Sequence, residues 1–185
     1  MTSPPPRAAR MPIVEVTQTF RFSAAHRMHN PRFSTEENRR VYGRCNHPNG
    51  HGHTYRLEVT IRGPISPVSG RLEDGDRLPD VVRTRLLDRF DQANLDALLT
   101  PADGVTSTTE VLLGVLWRIL DAALPSGRLA RLRVEETSNN FFEMDRDHWQ
   151  RVEEPTASQS AQHGPRVEGE PFSAARWSEP RPGSA

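Results

Sequence analysis

The feature that most constrains this chain is a strict alternation of apolar and polar residues over residues 53–62, HTYRLEVTIR. Successive side chains of a β-strand point to opposite faces of the sheet, so this alternation predicts a half-buried strand. The residues of the apolar parity are Tyr55, Leu57, Val59 and Ile61. Extending this parity backwards reaches His53 and then His51, and both imidazoles are therefore predicted to lie on the buried face.

A second strand is predicted over residues 13–25, IVEVTQTFRFSAA, and its apolar parity continues to His26. His51 and His53 are two residues apart and therefore face the same side of their strand. Together with His26 they would offer three nitrogens to one ion and leave a fourth position open, which is the ligand set of a catalytic zinc. The residues alone leave an alternative open, in which HGH is a strand-entry turn and His26 is an ordinary half-buried residue.

The rest of the apolar pattern predicts two helices and two further strands. The helices cover residues 79–98 and 108–123, and the strands cover residues 129–136 and 141–144. Ser107 and Glu110 are spaced as a capping box for the start of the second helix. The element order β-β-α-α-β-β favours an α+β fold, with a four-stranded antiparallel sheet and two helices on one face.

Composition divides the chain into one domain and two tails. Only 35% of the residues are hydrophobic, and the shortfall lies in residues 1–11 and in the Pro-, Ser-, Glu- and Arg-rich residues 151–185. These two segments are predicted to be disordered, since they cannot bury enough apolar surface to offset the entropy of ordering. The working domain is predicted to cover residues 12–150.

Charge and cysteine content narrow the class of protein further. The formal net charge is zero, which argues against a nucleic-acid-binding protein because such proteins need a basic excess on some face. The chain has no apolar run of the length of a membrane span and no apolar leader at its N-terminus. Its single cysteine cannot form an intrachain disulfide, so a reducing cytoplasm is the predicted location.

Three other positions are candidates for chemistry, each with a plainer interpretation. Cys45 precedes the paired histidines, where a metal and imidazoles would lower its pKa, although a lone cysteine is more often a small buried hydrophobe. Glu136 has the inward parity of Leu132 and Val134, and it either satisfies the following turn or accepts two parallel N–H bonds from a flat heterocycle. Asp91 is electrostatically disfavoured near a helix C-terminus, which indicates a use or an ordinary solvated charge.

Five sequence blocks together resemble the 6-pyruvoyltetrahydropterin synthase family, which also contains the bacterial 6-carboxytetrahydropterin synthases of queuosine biosynthesis. The blocks are FRFSAAHRM (20–28), GRCNHPNGHGHTYRLEV (43–59), FDQANLD (90–96), TSTTE (106–110) and VEETSNN (134–140). The resemblance implies a T-fold, in which the four-stranded sheets of several subunits join into a barrel with helices outside. It also implies a homo-oligomer, a trimer or a hexamer, with active sites at the subunit interfaces.

The resemblance further implies a zinc-dependent lyase that acts on 7,8-dihydroneopterin triphosphate. The implied zinc ligands are His26, His51 and His53. The implied catalytic residues are Cys45, as the base, and Asp91. The implied pterin-binding residues are Glu136, which anchors the pterin, and Thr108, Thr109 and Glu110, which line its pocket.

The chain departs from the family pattern at Gln92, where the family has a histidine after Asp91. Glutamine does not titrate and therefore cannot act as a general acid or base. Three outcomes remain open. In the first, another group such as His29, His47 or a zinc-bound water transfers the proton. In the second, the enzyme is slow or its reaction has a different outcome. In the third, the chain is a pterin-binding paralogue without turnover.

The choice between the two family products rests on two observations. The Cys45–His51 spacing resembles that of the pyruvoyl enzymes. All 24 basic residues are arginines, which is typical of a bacterial source with a GC-rich genome, where the carboxy activity is more common. We predict 6-carboxy-5,6,7,8-tetrahydropterin as the product, with the pyruvoyl product as the alternative.

Overall fold

The computed structural model of the chain describes residues 11–99 and 106–153. The strands are β1 (Ile13–His26), β2 (His51–Pro64), β3 (Ala93–Asn94), β4 (Leu129–Thr137) and β5 (Asn140–Asp145). The α-helices are α1 (Thr35–Tyr42), α2 (Leu78–Val82), α3 (Asp88–Phe90), α4 (Leu95–Leu99), α5 (Thr109–Ala123) and α6 (Arg146–Glu153). Short 3₁₀ helices cover Gly43–Asn46 and Gly75–Arg77.

The strands form one sheet in the order β3-β1-β2-β4-β5. Every neighbouring pair is antiparallel except β1 and β3, which run parallel over two residues. The α+β class and the four long strands predicted from alternation are confirmed. The short β3 was not predicted, so the sheet has five strands and is mixed rather than purely antiparallel.

β1 and β2 pair along the whole length of both strands, and this register determines where the histidines meet. His26 lies directly opposite His51, and Ala24 lies opposite His53. Directly opposed side chains of an antiparallel pair have Cβ atoms about 5 Å apart. The register therefore brings the three imidazoles together at one end of the hairpin. The inward parity predicted for His26 is confirmed, since it is 1% exposed.

The hydrophobic core lies between one face of the sheet and the packed helices. The inward parity of the long strands supplies one side of the core, and α5 supplies an apolar stripe at helical spacing. The largest fully buried side chains are Trp117, Tyr55, Phe90, Leu57, Leu78, Leu86, Leu95, Leu99, Leu112, Leu116, Leu120 and Leu129. The opposite parity of β2 is polar, and there Arg56 pairs with Glu58 and Glu135.

The single helix predicted over residues 79–98 is wrong in its extent. α2, a π-helical turn at Arg83–Leu87 and α3 form one helical segment that ends at Phe90. α4 resumes only at Leu95 and ends at Leu99. Apolar residues continue at helical spacing across the gap, which is why the pattern alone predicts one helix.

The interruption comes from hydrogen bonds to the sheet edge. Asp91 leaves the helix with φ −69° and ψ 135°, and its Oδ1 accepts from the Ser23 N–H at 2.7 Å. The Gln92 N–H donates to the Ser23 carbonyl at 2.6 Å, and Gln92 has a φ of 57°. These contacts with β1 replace the hydrogen bonds of a continuing helix and start β3.

The start of α5 also differs from the prediction by one residue. The N-cap is Thr108, whose hydroxyl accepts from the Val111 N–H, rather than Ser107 with Glu110 as its partner. Ser107 does not cap the helix because its hydroxyl donates to the Asp96 carboxylate. The capping-box prediction at Ser107 is therefore wrong, and the competing partner is a carboxylate that is distant in sequence.

Helix α1 was missed because its apolar residues are too few to show a period. A capping box nevertheless marks its start: the Ser34 hydroxyl accepts from the Glu37 N–H, and the Glu37 carboxylate accepts from the Ser34 N–H. A serine three residues before a glutamate is a recognisable start signal even without a hydrophobic run. This helix leads directly into the 3₁₀ turn at Gly43–Asn46.

Helix α6 was also missed, and it crosses the predicted domain end at residue 150. Its Trp149 stacks on Trp117 at 6.0 Å between ring centroids. Arg146 bonds the Asp121 carboxylate with both terminal nitrogens, at 3.1 and 2.5 Å. These contacts attach α6 to α5.

The predicted disordered tails fall almost wholly outside the described residues, as do residues 100–105, and their disorder stays a prediction. The first three residues of the predicted C-terminal tail, 151–153, belong to α6. Among the residues that the structure describes, no helix has the length and apolar character needed to cross a lipid bilayer.

Candidate active site

Three histidines form a compact cluster at the end of the β1–β2 hairpin. The ligand-capable atoms of His26, His51 and His53 all lie within 4.8 Å of one another. The Nε2 atoms of His26 and His51 are 3.1 Å apart. Two nitrogens bound to one tetrahedral zinc at about 2.05 Å would lie about 3.3 Å apart, so the observed spacing is close to that of two ligands of one ion.

The ring of His26 is held in one orientation by its other nitrogen. Nδ1 lies 2.7 Å from the Ser107 carbonyl oxygen, and a carbonyl can only accept, so Nδ1 carries the proton. In the neutral ring, Nε2 then presents a lone pair to the cluster. Metal-binding histidines typically donate their second ring N–H to such an acceptor.

The other two histidines are also prepared for metal binding. Burial is the main cause that lowers the pKa of His51 and of His53; the His26 imidazole lowers both further, while the Glu136 charge opposes the shift without reversing it. Neutral imidazole is the form that binds a metal. Nδ1 of His51 is buried and has no hydrogen-bond partner within residues 11–99 and 106–153. The donor set and the fixed His26 therefore fit a metal ion.

Glu136 enters the same cluster from β4. Its Oε1 lies 3.6 Å from Nε2 of both His26 and His53, while Oε2 accepts from Asn140 Nδ2 at 3.2 Å. Between Glu135 and Thr137 the pairing with β5 shifts by one residue. Such a bulge commonly redirects a side chain beside a functional site. Three neighbouring strands thus contribute to one polar cluster.

Cys45 lies in the 3₁₀ turn that follows α1, and it is half-buried. Its carbonyl accepts from the Met28 N–H at 2.9 Å, which ties this turn to the segment after β1. Burial is the main cause that raises the pKa of the Cys45 thiol, and the Glu136 charge raises it further. The protein groups alone therefore favour the thiol, and the lowered pKa expected for a thiol beside a bound metal stays a prediction.

The predicted pterin-pocket residues lie at the start of α5, and they have unequal roles. Thr108 is the N-cap, and Glu110 is exposed on the first turn. Thr109 is 1% exposed and lies beside the buried Tyr55. The hydroxyls of Thr109 and Tyr55 face each other, and no third group in the described part of the chain bonds either of them. Burial, followed by the Glu136 charge, raises the pKa of Tyr55, so this phenol remains a neutral donor.

Asp91 is not brought to the cluster within this chain. It is exposed at the outer edge of β1, where its carboxylate bonds the backbone of Ser23. Ser23 precedes His26 by three residues, which is about 10 Å along a strand. Gln92 is likewise exposed and held through its backbone. Of the alternative proton carriers named in the sequence analysis, His29 accepts from Nδ2 of Asn46, the residue after Cys45, at 3.0 Å, and His47 is exposed.

Sequence reasoning missed Ser107 and Tyr55 as members of the site. Ser107 acts through its backbone carbonyl, for which no residue pattern gives a signal. Tyr55 has the inward parity of His53, and a polar tip at that parity is a signal that a buried hydroxyl needs a partner.

Comparison with known proteins gives consistent matches. A family model described as 6-pyruvoyl tetrahydropterin synthase matches residues 15–147. The 6-pyruvoyl tetrahydrobiopterin synthase of Poecilia reticulata is 41% identical over 126 residues, which cover 68% of this chain and 86% of that protein. The human protein of the same name is 37% identical over 127 residues, which cover 69% of this chain and 88% of the human protein.

Solved structures show the same fold. The structure of Caenorhabditis elegans 6-pyruvoyl tetrahydropterin synthase superposes with a TM-score of 0.68 at 35% identity, covering 74% of this chain and 98% of that one. The Plasmodium vivax enzyme of this name superposes with a TM-score of 0.51 at 16% identity, covering 73% and 98%. The second likeness is one of fold alone.

Proposed function

Because this chain belongs to the 6-pyruvoyl tetrahydropterin synthase family, we propose that it is a zinc-dependent lyase acting on 7,8-dihydroneopterin triphosphate. The observation that carries the proposal is the cluster of His26, His51 and His53, whose ligand atoms lie within 4.8 Å of one another. Glu136 approaches this cluster from the next strand. The proposed reaction needs a metal to hold the side chain of the substrate and a carboxylate to hold its pterin ring, and the histidine triad and Glu136 would supply these.

The three histidines would hold the zinc, with the Nε2 lone pair of His26 fixed by Ser107. When bound, zinc supplies a Lewis acid that holds the side-chain hydroxyls of the substrate and acidifies the adjacent C–H bonds. Cys45 would remove a proton from one of these carbons. Its pKa is raised by burial in the protein alone, so the thiol needs a nearby positive charge to act as a base near neutral pH.

The rest of the site would bind and orient the pterin. Glu136 would accept two N–H bonds from the flat ring, as a carboxylate does from arginine. Thr109 and Tyr55 offer buried hydroxyls that no third group bonds in the described residues, and these hydroxyls can bond polar atoms of the ring or ordered water. Thr108 and Glu110 would line the opening of this pocket.

Asp91 would act in an assembly rather than in a single chain. It is exposed at the edge of the sheet and is held by the Ser23 backbone. The family resemblance implies that sheets of several subunits join and that sites lie between them. We therefore propose that the chain forms a trimer or a hexamer, in which Asp91 of one subunit would approach the Cys45 region of another.

The named relatives favour the pyruvoyl product, in which triphosphate is eliminated. Relatives at 41% and 37% identity carry that name, and the Cys45–His51 spacing agrees with it. The 6-carboxy product predicted from the arginine-only basic composition is the second candidate. A non-catalytic pterin-binding paralogue is the third, because Gln92 stands where the family has a titratable histidine.

Product identification tests these candidates together. The zinc-loaded protein is incubated with 7,8-dihydroneopterin triphosphate, and the products are identified by mass spectrometry. Formation of 6-pyruvoyltetrahydropterin and inorganic triphosphate supports the first candidate, and a 6-carboxy product supports the second. Unchanged substrate, with binding shown by calorimetry in the same sample, would contradict both lyase proposals and favour the paralogue. Cys45→Ser serves as the control for turnover.

A further inference from the structure

Asp96, at the start of α4, is not one of the clustered histidines, but it bonds two residues that contact or adjoin His26. Both of its carboxylate oxygens accept from the Arg27 backbone N–H, at 3.1 and 3.0 Å. Oδ1 also accepts from the Ser107 hydroxyl. Arg27 directly follows His26 in the chain, so one carboxylate holds the backbone next to this histidine.

Ser107 connects the same carboxylate to the imidazole. Its hydroxyl donates to Asp96, and its carbonyl accepts from Nδ1 of His26 at 2.7 Å. Ser107 and His26 are each 1% exposed, so the bond between the Ser107 carbonyl and Nδ1 of His26 is shielded from water, while the bond to the half-buried Asp96 is partly shielded. Asp96 thereby fixes His26 from two directions, through the backbone of Arg27 and through the carbonyl that sets the ring tautomer.

The position of Ser107, one residue before the N-cap of α5, supports a dedicated role for this contact. A serine before α5 would normally cap the helix, but the cap falls to Thr108. Ser107 instead lies between Asp96 and His26. Its carbonyl position depends on the side-chain bond, because the hydroxyl anchors the residue at the point where the loop turns into the helix.

We propose that Asp96 is a positioning residue for His26, acting through Ser107, and that it sets the metal affinity of the site. The inference rests on the metal site proposed above. Partners of this kind, which orient a metal-binding histidine without touching the metal, typically contribute 10- to 100-fold to metal affinity. The competing explanation is that Asp96 only attaches α4 to β1 and affects stability alone.

A double-mutant cycle separates the two explanations. The variants are Asp96→Asn, Ser107→Ala and the double variant, all in the full-length protein. Asparagine keeps the size of Asp96 but replaces one accepting oxygen by a donor, and alanine keeps the Ser107 carbonyl while removing its hydroxyl. Asp121→Asn is the matched control, since it weakens a half-buried carboxylate contact with Arg146 that lies away from the cluster.

Zinc affinity is measured by competition with a chromophoric chelator, and the visible spectrum of the cobalt-substituted protein reports the ligand geometry. We expect Asp96→Asn to lower zinc affinity by about 10- to 100-fold and to change the cobalt bands. Ser107→Ala should have a similar effect, and the double variant should be little worse than either single variant, because residues of one network are not additive. Asp121→Asn should bind zinc normally while melting at a lower temperature.

Zinc affinity within about twofold of the wild type in Asp96→Asn would overturn the inference, and so would full additivity in the double variant. A variant that fails to fold is replaced by Ser107→Ala alone, which leaves the bonds from Arg27 to Asp96 intact. If the wild-type protein itself binds no stoichiometric zinc, the proposed metal site fails together with this inference. If the wild type binds zinc and the variants bind it with the same affinity, the inference fails while the proposed metal site stands.

Discussion

Replacing Glu136 by glutamine is the change that best tests what this carboxylate does. Its Oε1 lies 3.6 Å from Nε2 of both His26 and His53, a place from which it could assist a metal or anchor a substrate ring. Oε2 already accepts from Asn140. Glutamine has nearly the same shape, so it removes the charge and one accepting oxygen while preserving the packing.

The expected loss of pterin affinity follows from the hydrogen bonds that Glu136 would make to the pterin ring. A hydrogen bond to a charged group is worth about 1.5–3 kcal/mol, and the amide nitrogen of glutamine would face a ring N–H with another donor. One such bond corresponds to an affinity loss of about 10- to 150-fold. Zinc affinity should fall by less than about threefold, because three imidazoles hold the ion and the side chain keeps one oxygen.

Pterin binding is measured by calorimetry with a non-reacting pterin on the zinc-loaded protein, and zinc binding by chelator competition. Glu136→Gln and the wild type are compared in both assays, and Glu135→Gln serves as the matched control because Glu135 pairs with Arg56 on the opposite face. A large loss of zinc affinity with unchanged pterin affinity would refute the anchoring role and make Glu136 a metal ligand.

Three further predictions concern the triad, the fold and the departure from the family. His51→Ala should abolish stoichiometric zinc binding measured by elemental analysis, whereas the exposed His47→Ala should not. Glu37→Gln should lower the melting temperature at neutral pH but not in strong acid: bonds from Ser34 lower the pKa of the Glu37 carboxyl, so its stabilisation is present above the ordinary pKa and disappears as the pH falls through the lowered one. Gln92→His should raise turnover in a product assay if the missing proton carrier limits the rate.

A different result would contradict each of the predictions for Glu37 and Gln92. An equal loss of melting temperature at neutral and acid pH would show that Glu37 does not act through its charge. No gain in turnover from Gln92→His, in a protein that is already active, would show that another group carries the proton.

The elements that the sequence predicts well are those fixed by a local period. Alternation along β1 and β2 places His26, His51 and His53 on one face, and no tertiary information is needed for that step. The clustering itself needs only that the two strands pair as a hairpin in one register. A slip by one residue would turn every inward side chain outwards, so the buried apolar parity determines the geometry of the histidine cluster as well.

The failures arise where a distant partner outcompetes a local pattern. Ser107 has the spacing of an N-cap, but the Asp96 carboxylate accepts its hydroxyl proton. Asp91 has the position of a helix residue, but the Ser23 backbone at the edge of β1 provides its hydrogen-bond partner. Neither partner is visible in a window of neighbouring residues.

At Gln92 the backbone conformation of the turn and the chemistry of the side chain can be considered separately. Its backbone has a φ of 57°, a left-handed conformation that is uncommon for residues other than glycine and in which asparagine, aspartate and histidine are enriched. Glutamine lacks that preference, yet the bond from the Gln92 N–H to the Ser23 carbonyl is formed, so the turn does not depend on a histidine side chain. The segment can therefore hold Asp91 in place without a histidine at position 92, and under the proposed function the substitution would bear on proton transfer rather than on the scaffold.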